Sequence, residues 1–456
     1  MSAVSPYKRI KYSGRRAGKI PLTWSQRWLW RAVAAQAPNY AHLNLAAGVE
    51  VPAGCDLEDV MAVLSFILER HETLRSRFCV DEHGEPVQIL SAAGELSMAI
   101  CEAGPSETAS MARQLEADLT RMPFTIPEPA VRVAVVTENG KPKWVILGVF
   151  EMALDFFGLQ RVRGELELLL RSRSEGESQS VLAEVSHPLD RVKYEQSPEG
   201  LTYSEKAVMR WRREVERFPR TALPPRRTPE TLRFQECTMR SKAAAVAVST
   251  LSRAHKVSPG AVVLAHACTL LGNVSENSRI GFLLFSHNRF SDDAVHHSGR
   301  LAQSVPVSVE LGGVKPGDLA RAAHRAAVRS AMLCECDPDA VTEMLRDFAD
   351  RNGFEVDISC AFNFPFSENE DSVWQAGKPQ DARSVDAREY LSETTLSPLR
   401  QFESEDMRFY LTAFDVFDEI SVSLRVDTEV LSSDEIVGFL RSLESALIDS
   451  YLNPNA

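Results

Sequence analysis

The chain has 456 residues, 44% hydrophobic and 25% charged, enough for two domains of roughly 150 to 250 residues, each with its own core. Its net charge of -12 argues against a surface that tracks nucleic-acid phosphates. No run approaches the roughly 18 apolar residues of a membrane span, and the N-terminus lacks a signal-peptide core, so a cytoplasmic protein with no membrane or nucleic-acid partner is expected.

Charge is unevenly spread. Residues 1–20 hold Lys8, Arg9, Lys11, Arg15, Arg16 and Lys19 and no acid, leaving -18 on the rest. A basic, disordered tail that meets an acidic partner is the expectation for 1–20. The eight cysteines are scattered, with Cys334 and Cys336 the only close pair, so neither a zinc site nor a disulfide framework is expected.

The folded part opens at Pro21 with PLTWSQRWLW, in which Thr23 suits an N-cap and Trp24, Trp28 and Leu29 share one helical face. Asp56 caps a second amphipathic helix through Val60, Leu64, Ile67 and Leu68, which runs into Arg70-His71-Glu72-Thr73-Leu74-Arg75-Ser76-Arg77-Phe78. His71 there reads as a structural hydrogen-bonder. Pro86 to Leu90 is a strand signal. Val131 to Val136 and Trp144 to Val149 are apolar, β-branched runs joined by Asn139-Gly140, the pair that a tight hairpin turn with two positive φ values requires. From Gly158 the period becomes helical, with Leu159, Val162, Leu166 and Leu169 inward and Glu165 outward.

Between that strand and that helix lie Phe150, Glu151, Asp155 and Phe156. A carboxylate at such a junction is costly unless partnered, which makes this the first place to look for chemistry. Burial would make Glu151 a possible general base; an arginine within reach would make it a fixed charge. Further on, Ser258 and Pro259 open a nearly all-apolar helix ending near Gly272, His266 within it reads as a satisfied core histidine, and Ile280 to Phe285 is the next strand. The tandem His296-His297 sits among loop-forming residues and reads as a solvated pair.

PLTWSQRWLW, RHETLRSRF and FEMALDFFG occur in the order and at about the spacing of the first three motifs of nonribosomal peptide synthetase condensation domains, and the chain resembles that superfamily over residues 20–452. His187-Pro-Leu-Asp190, the helix around Trp211, Ser286-His-Asn-Arg289, Gln303-Ser-Val-Pro306, Ile358 to Asn363 and Phe409 to Leu452 extend the resemblance. It implies an α/β fold of two chloramphenicol-acetyltransferase-like lobes, 21–185 and 186–456, in a V-shaped pseudo-dimer with a central tunnel, and the polar stretch Pro365 to Ser397 as a loop crossing between lobes.

The family's third motif is His-His-x-x-x-Asp-Gly, and here its positions read Phe150, Glu151, Asp155 and Phe156. The resemblance implies a stand-alone member that transfers an acyl group from the 4′-phosphopantetheine thioester of an acyl- or peptidyl-carrier protein to a small or carrier-bound amine or hydroxyl, needing no cofactor or metal of its own. Glu151 would take the central catalytic place, Asp155 would pair structurally with Arg289 of the second lobe, and Phe150 and Phe156 would line the tunnel. The other reading the altered motif leaves open is a non-catalytic module that recruits a carrier protein or tailoring enzyme.

Overall fold

The computed structural model describes residues 7–37, 40–176, 182–224, 227–231, 233–312, 316–332, 335–364, 386–402, 407–416 and 418–453. Its chain divides into two compact units. Unit 1 comprises Met1–Tyr203 and His287–Ala302, and unit 2 comprises Ser204–Ser286 and Gln303–Ala456. The expected boundary at 185/186 therefore shifts: the described parts of 186–203, with helix α5 (Pro188–Glu195), stay with unit 1, and a sixteen-residue segment far along the chain joins them.

Unit 1 begins with β1 (Tyr7–Ser13) and β2 (Gly18–Pro21), followed by α1 (Trp24–Gln36), β3 (Asn44–Glu50), α2 (Leu57–Arg70), β4 (Ser76–Val80), β5 (Pro86–Leu90), β6 (Ala93–Glu102), α3 (Thr108–Arg121), β7 (Val131–Glu138), β8 (Lys141–Phe150) and α4 (Phe156–Ser174). One sheet runs β1-β6-β7-β8-β3 and a smaller one β2-β5-β4. The apolar runs of β7 and β8 follow from their central place. Val133, Val135, Val145, Leu147 and Val149 meet the helices α2 and α4, while Ala134, Val136 and Ile146 meet α3, so both faces are covered. Asn139 and Gly140 turn the hairpin at φ 52° and 73°. Thr23 and Asp56 cap α1 and α2, each through a reciprocal capping box.

The expected disordered tail is not what residues 7–20 form. Strand β1 pairs with β6 from Tyr7↔Ala99 to Ser13↔Ala93, and β2 pairs with β5. Ile10 and Ile20 are buried. Three of the six positive charges have acidic partners: Arg9 meets Glu95, Lys19 meets Asp81, and Arg16 sends two parallel bonds to Asp190 at 2.7 and 2.9 Å and one to Glu72 at 2.6 Å. The segment's own sequence, two isoleucines among cations, hid these partners because they lie up to 174 residues away. Removing residues 1–20 is expected to destabilise unit 1 by at least about 3 kcal/mol, from the burial of the two isoleucines alone. Chemical denaturation of the truncated chain reads this, and unchanged stability would contradict it.

Unit 2 takes in most of α6 (Pro198–Val215) and then β9 (Phe234–Ser241), α7 (Lys242–His255), α8 (Pro259–Ser275) and β10 (Arg279–Ser286). The segment with the short α9 (Asp292–Val295) intervenes, and β11 (Gln303–Glu310), α10 (Pro316–Ala331), α11 (Pro338–Asn352), β12 (Cys360–Asn363), β13 (Thr395–Leu396), β14 (Arg400–Phe402), β15 (Phe409–Val416), β16 (Glu419–Asp427) and α12 (Ser433–Leu452) follow. The sheet runs β11-β10-β12-β15-β16-β9-β13, with β14 also on β9. Residues of α7, α8, α10 and α12 share one core with it, which is why α8 is apolar nearly all round. Ser258 caps α8, which runs one turn past Gly272 to Ser275. His266 is satisfied, with Val262 O at 2.8 Å and Ser450 Oγ at 2.9 Å.

Most of the stretch Pro365 to Ser397, expected to cross between lobes, lies outside the described residues, as does Cys334. The described end of that stretch pairs within unit 2, as β13 against β9. Among the described residues no single helix is long and apolar enough to cross a membrane; α7 and α8 reach that composition only together, across a 105° bend, and both are core helices.

Candidate functional site

The junction after β8 is a buried turn. Met152, Ala153 and Leu154 are each 0% exposed. Buried carbonyls need donors, and the other two motifs supply them: Gln26 Nε2 donates to Met152 O at 3.1 Å and Thr73 Oγ1 to Ala153 O at 2.6 Å. The three motifs that stand apart in sequence thus meet to hold one turn.

Asp155 ends that turn and caps α4, its Oδ1 accepting Gly158 N–H at 2.8 Å. Gly158 is closely covered: a Cβ there would lie 3.1 Å from Gly299 O, so a side chain would require that carbonyl to shift by a few tenths of an ångström. Asp155 Oδ2 accepts from Arg289 Nη1 at 2.8 Å and from the amides of Leu301 at 2.8 Å and Ala302 at 3.0 Å. Burial by itself would push this carboxyl up; Arg289 and the amides outweigh it and hold it at about 2. Arg289 spends its other donors on His287 O and Gly299 O. The pair anticipated from the sequence is thus present. Arg289, however, lies just beyond the second unit's strand β10, in the segment His287–Ala302, and belongs to unit 1 with Asp155.

Glu151 has an arginine within reach. Arg300 Nη1 donates to its Oε1 at 2.6 Å, with the guanidinium side chain 2% exposed and the carboxylate side chain 23% exposed. Arg300 Nε is buried and has no partner among the described residues. Of the two possibilities the sequence leaves open for Glu151, this is the geometry of the held charge. Phe150 does not line a passage. It is 2% exposed and packs among Tyr40, Phe78 and Phe124 at centroid distances of 5.6 to 6.0 Å, because a ring at the end of a central strand finds apolar neighbours on every side. Phe156 is partly exposed and starts a row of rings, meeting Phe157 at 5.5 Å, which meets His287 at 4.7 Å, which meets Phe290 at 4.7 Å.

Around the pair lies a buried polar relay. His71 is 0% exposed, with Ser298 Oγ 2.6 Å from its Nδ1 and Glu165 Oε2 2.8 Å from its Nε2. Arg70 and Arg161 also reach Glu165, at 2.8 and 3.3 Å. Burial pushes the imidazole down, and Glu165, which burial would raise, is held at about 2 by His71 and Arg70. A neutral ring beside an ionised carboxylate carries its proton on Nε2, so Ser298 donates to Nδ1. His71 is the structural hydrogen-bonder expected. Glu165, expected to face outward, is 9% exposed because it closes this network. His297 is likewise buried, at 2% exposure, with Nδ1 3.1 Å from Ser186 Oγ and Nε2 unpartnered among the described residues, so the expected solvated pair is corrected at His297, while His296 is partly exposed.

Arg300, Ser298 and His297 carry no recognisable motif in His297-Ser-Gly-Arg-Leu301. One signal pointed there: the junction has two carboxylates, and one arginine, Arg289, cannot neutralise both. Among the described residues no group of three or more His, Cys, Asp or Glu side chains is placed to hold a metal ion.

Several known proteins resemble this chain. A linear gramicidin synthase of Brevibacillus parabrevis is 27% identical over 179 residues, 38% of this chain and 2% of that protein's length. Among solved structures, SgcC5 protein from Streptomyces globisporus superposes with a TM-score of 0.73 at 17% identity, covering 96% of this chain and 99% of that one. A structure bearing on condensation-domain-mediated chain release from the enacyloxin polyketide synthase gives a TM-score of 0.76 at 17% identity, covering 97% and 84%. These likenesses establish the mixed α/β fold that the sequence resemblance implied. The condensation-domain family matches residues 16–456, nearly the whole chain, and the protein belongs to that family.

Proposed function

We propose that the chain is a condensation-type acyltransferase of a nonribosomal peptide or related pathway, moving an acyl group from the 4′-phosphopantetheine thioester of a carrier protein to an amine or hydroxyl. Beyond family membership, one observation supports this reading: at the place of the family's second histidine stands a carboxylate fixed by Arg300 on one oxygen and partly exposed. In the reaction the nucleophile's lone pair attacks the thioester carbonyl, the new C–N or C–O bond forms, and the C–S bond breaks. The departing thiolate takes up the proton that the nucleophile sheds. Glu151 contributes by accepting a hydrogen bond from the nucleophile's N–H or O–H through Oε2 and so aiming its lone pair, an effect of position.

A second reading, a recruiting module without turnover, is favoured by two substitutions that remove both of the family's imidazoles: a core ring at 150 and an arginine-bound carboxylate at 151. Intact-protein mass spectrometry with acyl-loaded carriers and a panel of nucleophiles separates the readings. A positioning acceptor predicts that Glu151→Gln keeps kcat within about tenfold while Glu151→Ala loses about a hundredfold. A loss of about 10² to 10⁴ in the Gln variant would instead make Glu151 a general base. Carrier binding without turnover in any form would replace the acyltransferase reading by the second one.

A further inference from the structure

Buried guanidinium groups normally give away most of their five N–H donors, because each one left unpaired costs free energy. Arg300 departs from this. It is 2% exposed, gives Nη1 to Glu151 and leaves Nε, shut away from solvent, without a partner among the described residues. Its partner is also half used: Glu151 spends Oε1 on Arg300, and the side chain stays 23% exposed.

The chain on both sides of Arg300 is pinned. Asp155 Oδ2 holds the amides of Leu301 and Ala302, His71 holds Ser298 Oγ, and Ser186 O accepts the Ser298 amide at 2.8 Å. The backbone that carries the guanidinium is therefore held in place, and with Nη1 on Glu151 the unfilled Nε sits at a defined position.

An ion pair whose two members each keep an unfilled side suits a ligand that carries both charges close together. A lone anion meets repulsion from Glu151 and a lone cation meets it from Arg300, whereas a zwitterion satisfies both. We propose that the Glu151–Arg300 pair binds the head of a free α-amino acid, with the ammonium on Glu151 Oε2 and the carboxylate on Arg300. The nucleophile of this domain is then a free amino acid. The claim deepens the proposed function and rests on it for the transfer step, but binding itself does not require transfer. In that step the bound ammonium gives one proton to water, the neutral amine attacks the thioester carbonyl, the C–S bond breaks, the departing thiolate takes up the second proton that the nitrogen sheds, and an N-acyl amino acid leaves, its carboxylate releasing Arg300.

The test uses the full chain with no acyl donor. Calorimetry with a panel of free amino acids, each beside its N-acetyl and primary-amide derivative, reads the two charges separately. At least one free amino acid is expected to bind, with both derivatives about tenfold or more weaker, the usual worth of a charged hydrogen bond. Arg300→Gln leaves Glu151 without its counter-charge and is open to misfolding, so the double variant Glu151→Gln/Arg300→Gln, checked by circular dichroism, keeps a neutral hydrogen-bonded pair. It should abolish the discrimination. Binding of no free amino acid at millimolar concentration, or equal binding of the derivatives, overturns the inference and leaves acyl transfer to another nucleophile standing. Selective binding without turnover would overturn the acyltransferase reading alone.

Discussion

Asp155→Ala is expected to remove about 3 to 5 kcal/mol from the stability of unit 1, the cost of leaving one half of a buried ion pair without its partner. The carboxylate has four donors: Arg289 and the amides of Gly158, Leu301 and Ala302. Its removal strands a guanidinium whose side chain is only 9% exposed and strips the cap from α4. Losing the cap adds about 1 kcal/mol. Asp155→Asn should recover part of the loss, since the amide oxygen still accepts from backbone N–H groups. Urea unfolding of the three proteins, followed by a probe in unit 1, gives the comparison, and an alanine variant within about 1 kcal/mol of the parent would defeat the argument.

Acid should unfold the protein in two stages. His71, His187 and His297 are pushed below their ordinary value of 6.5, in each case by burial foremost. Their folded forms are neutral, so the stability they carry is whole above about pH 7 and is lost as the pH falls through 6.5. Asp155 and Glu165 are held at about 2 from 3.8 and 4.5, by Arg289 in one case and by His71 and Arg70 in the other, against the opposing pull of burial. Their folded forms are ionised. What they contribute is whole above about pH 5 and disappears as the pH drops toward 2; for Asp155 this is about 2 kcal/mol at 1.36 kcal/mol per unit. Denaturant midpoints measured from pH 8 to pH 3 should show a shallow decline below 6.5 and a steeper one below 4.5. A flat profile down to pH 4 would remove the first stage, and survival at pH 3 with undiminished stability would remove the second.

How far the sequence revealed this protein depends on the range over which each feature is decided. The hairpin at Asn139-Gly140, the caps Thr23, Asp56 and Ser258, and the strand Pro86–Leu90 are settled within a few residues, and local periodicity and turn chemistry found them. The Asp155–Arg289 pair spans 134 residues and was legible through the resemblance, because both members stand in matched stretches. Arg300 and Glu165 were not legible. Arginine in a loop and glutamate at an i+4 position from Arg161 both look like solvated charges until the segment from 287 to 302 folds against His71 and Glu151. The same blindness explains the basic segment from Tyr7 to Ile20, whose cations Arg9 and Arg16 read as a tail because Glu95 and Asp190 are distant in sequence.

The segment His287–Ala302 also sets an order of events during synthesis. Everything else in unit 1 has left the ribosome by Tyr203, yet His71, Glu151 and Asp155 wait for Ser298, Arg300 and Arg289 until Ser204–Ser286 has been translated. At roughly 5 to 20 residues per second that is an interval of about 5 to 20 s. Through it the nascent N-terminal unit holds Glu151 and Asp155 without the arginines that pair with them, and His71 has Glu165 but not Ser298, so closure around this junction must follow, rather than precede, growth of the chain past residue 302.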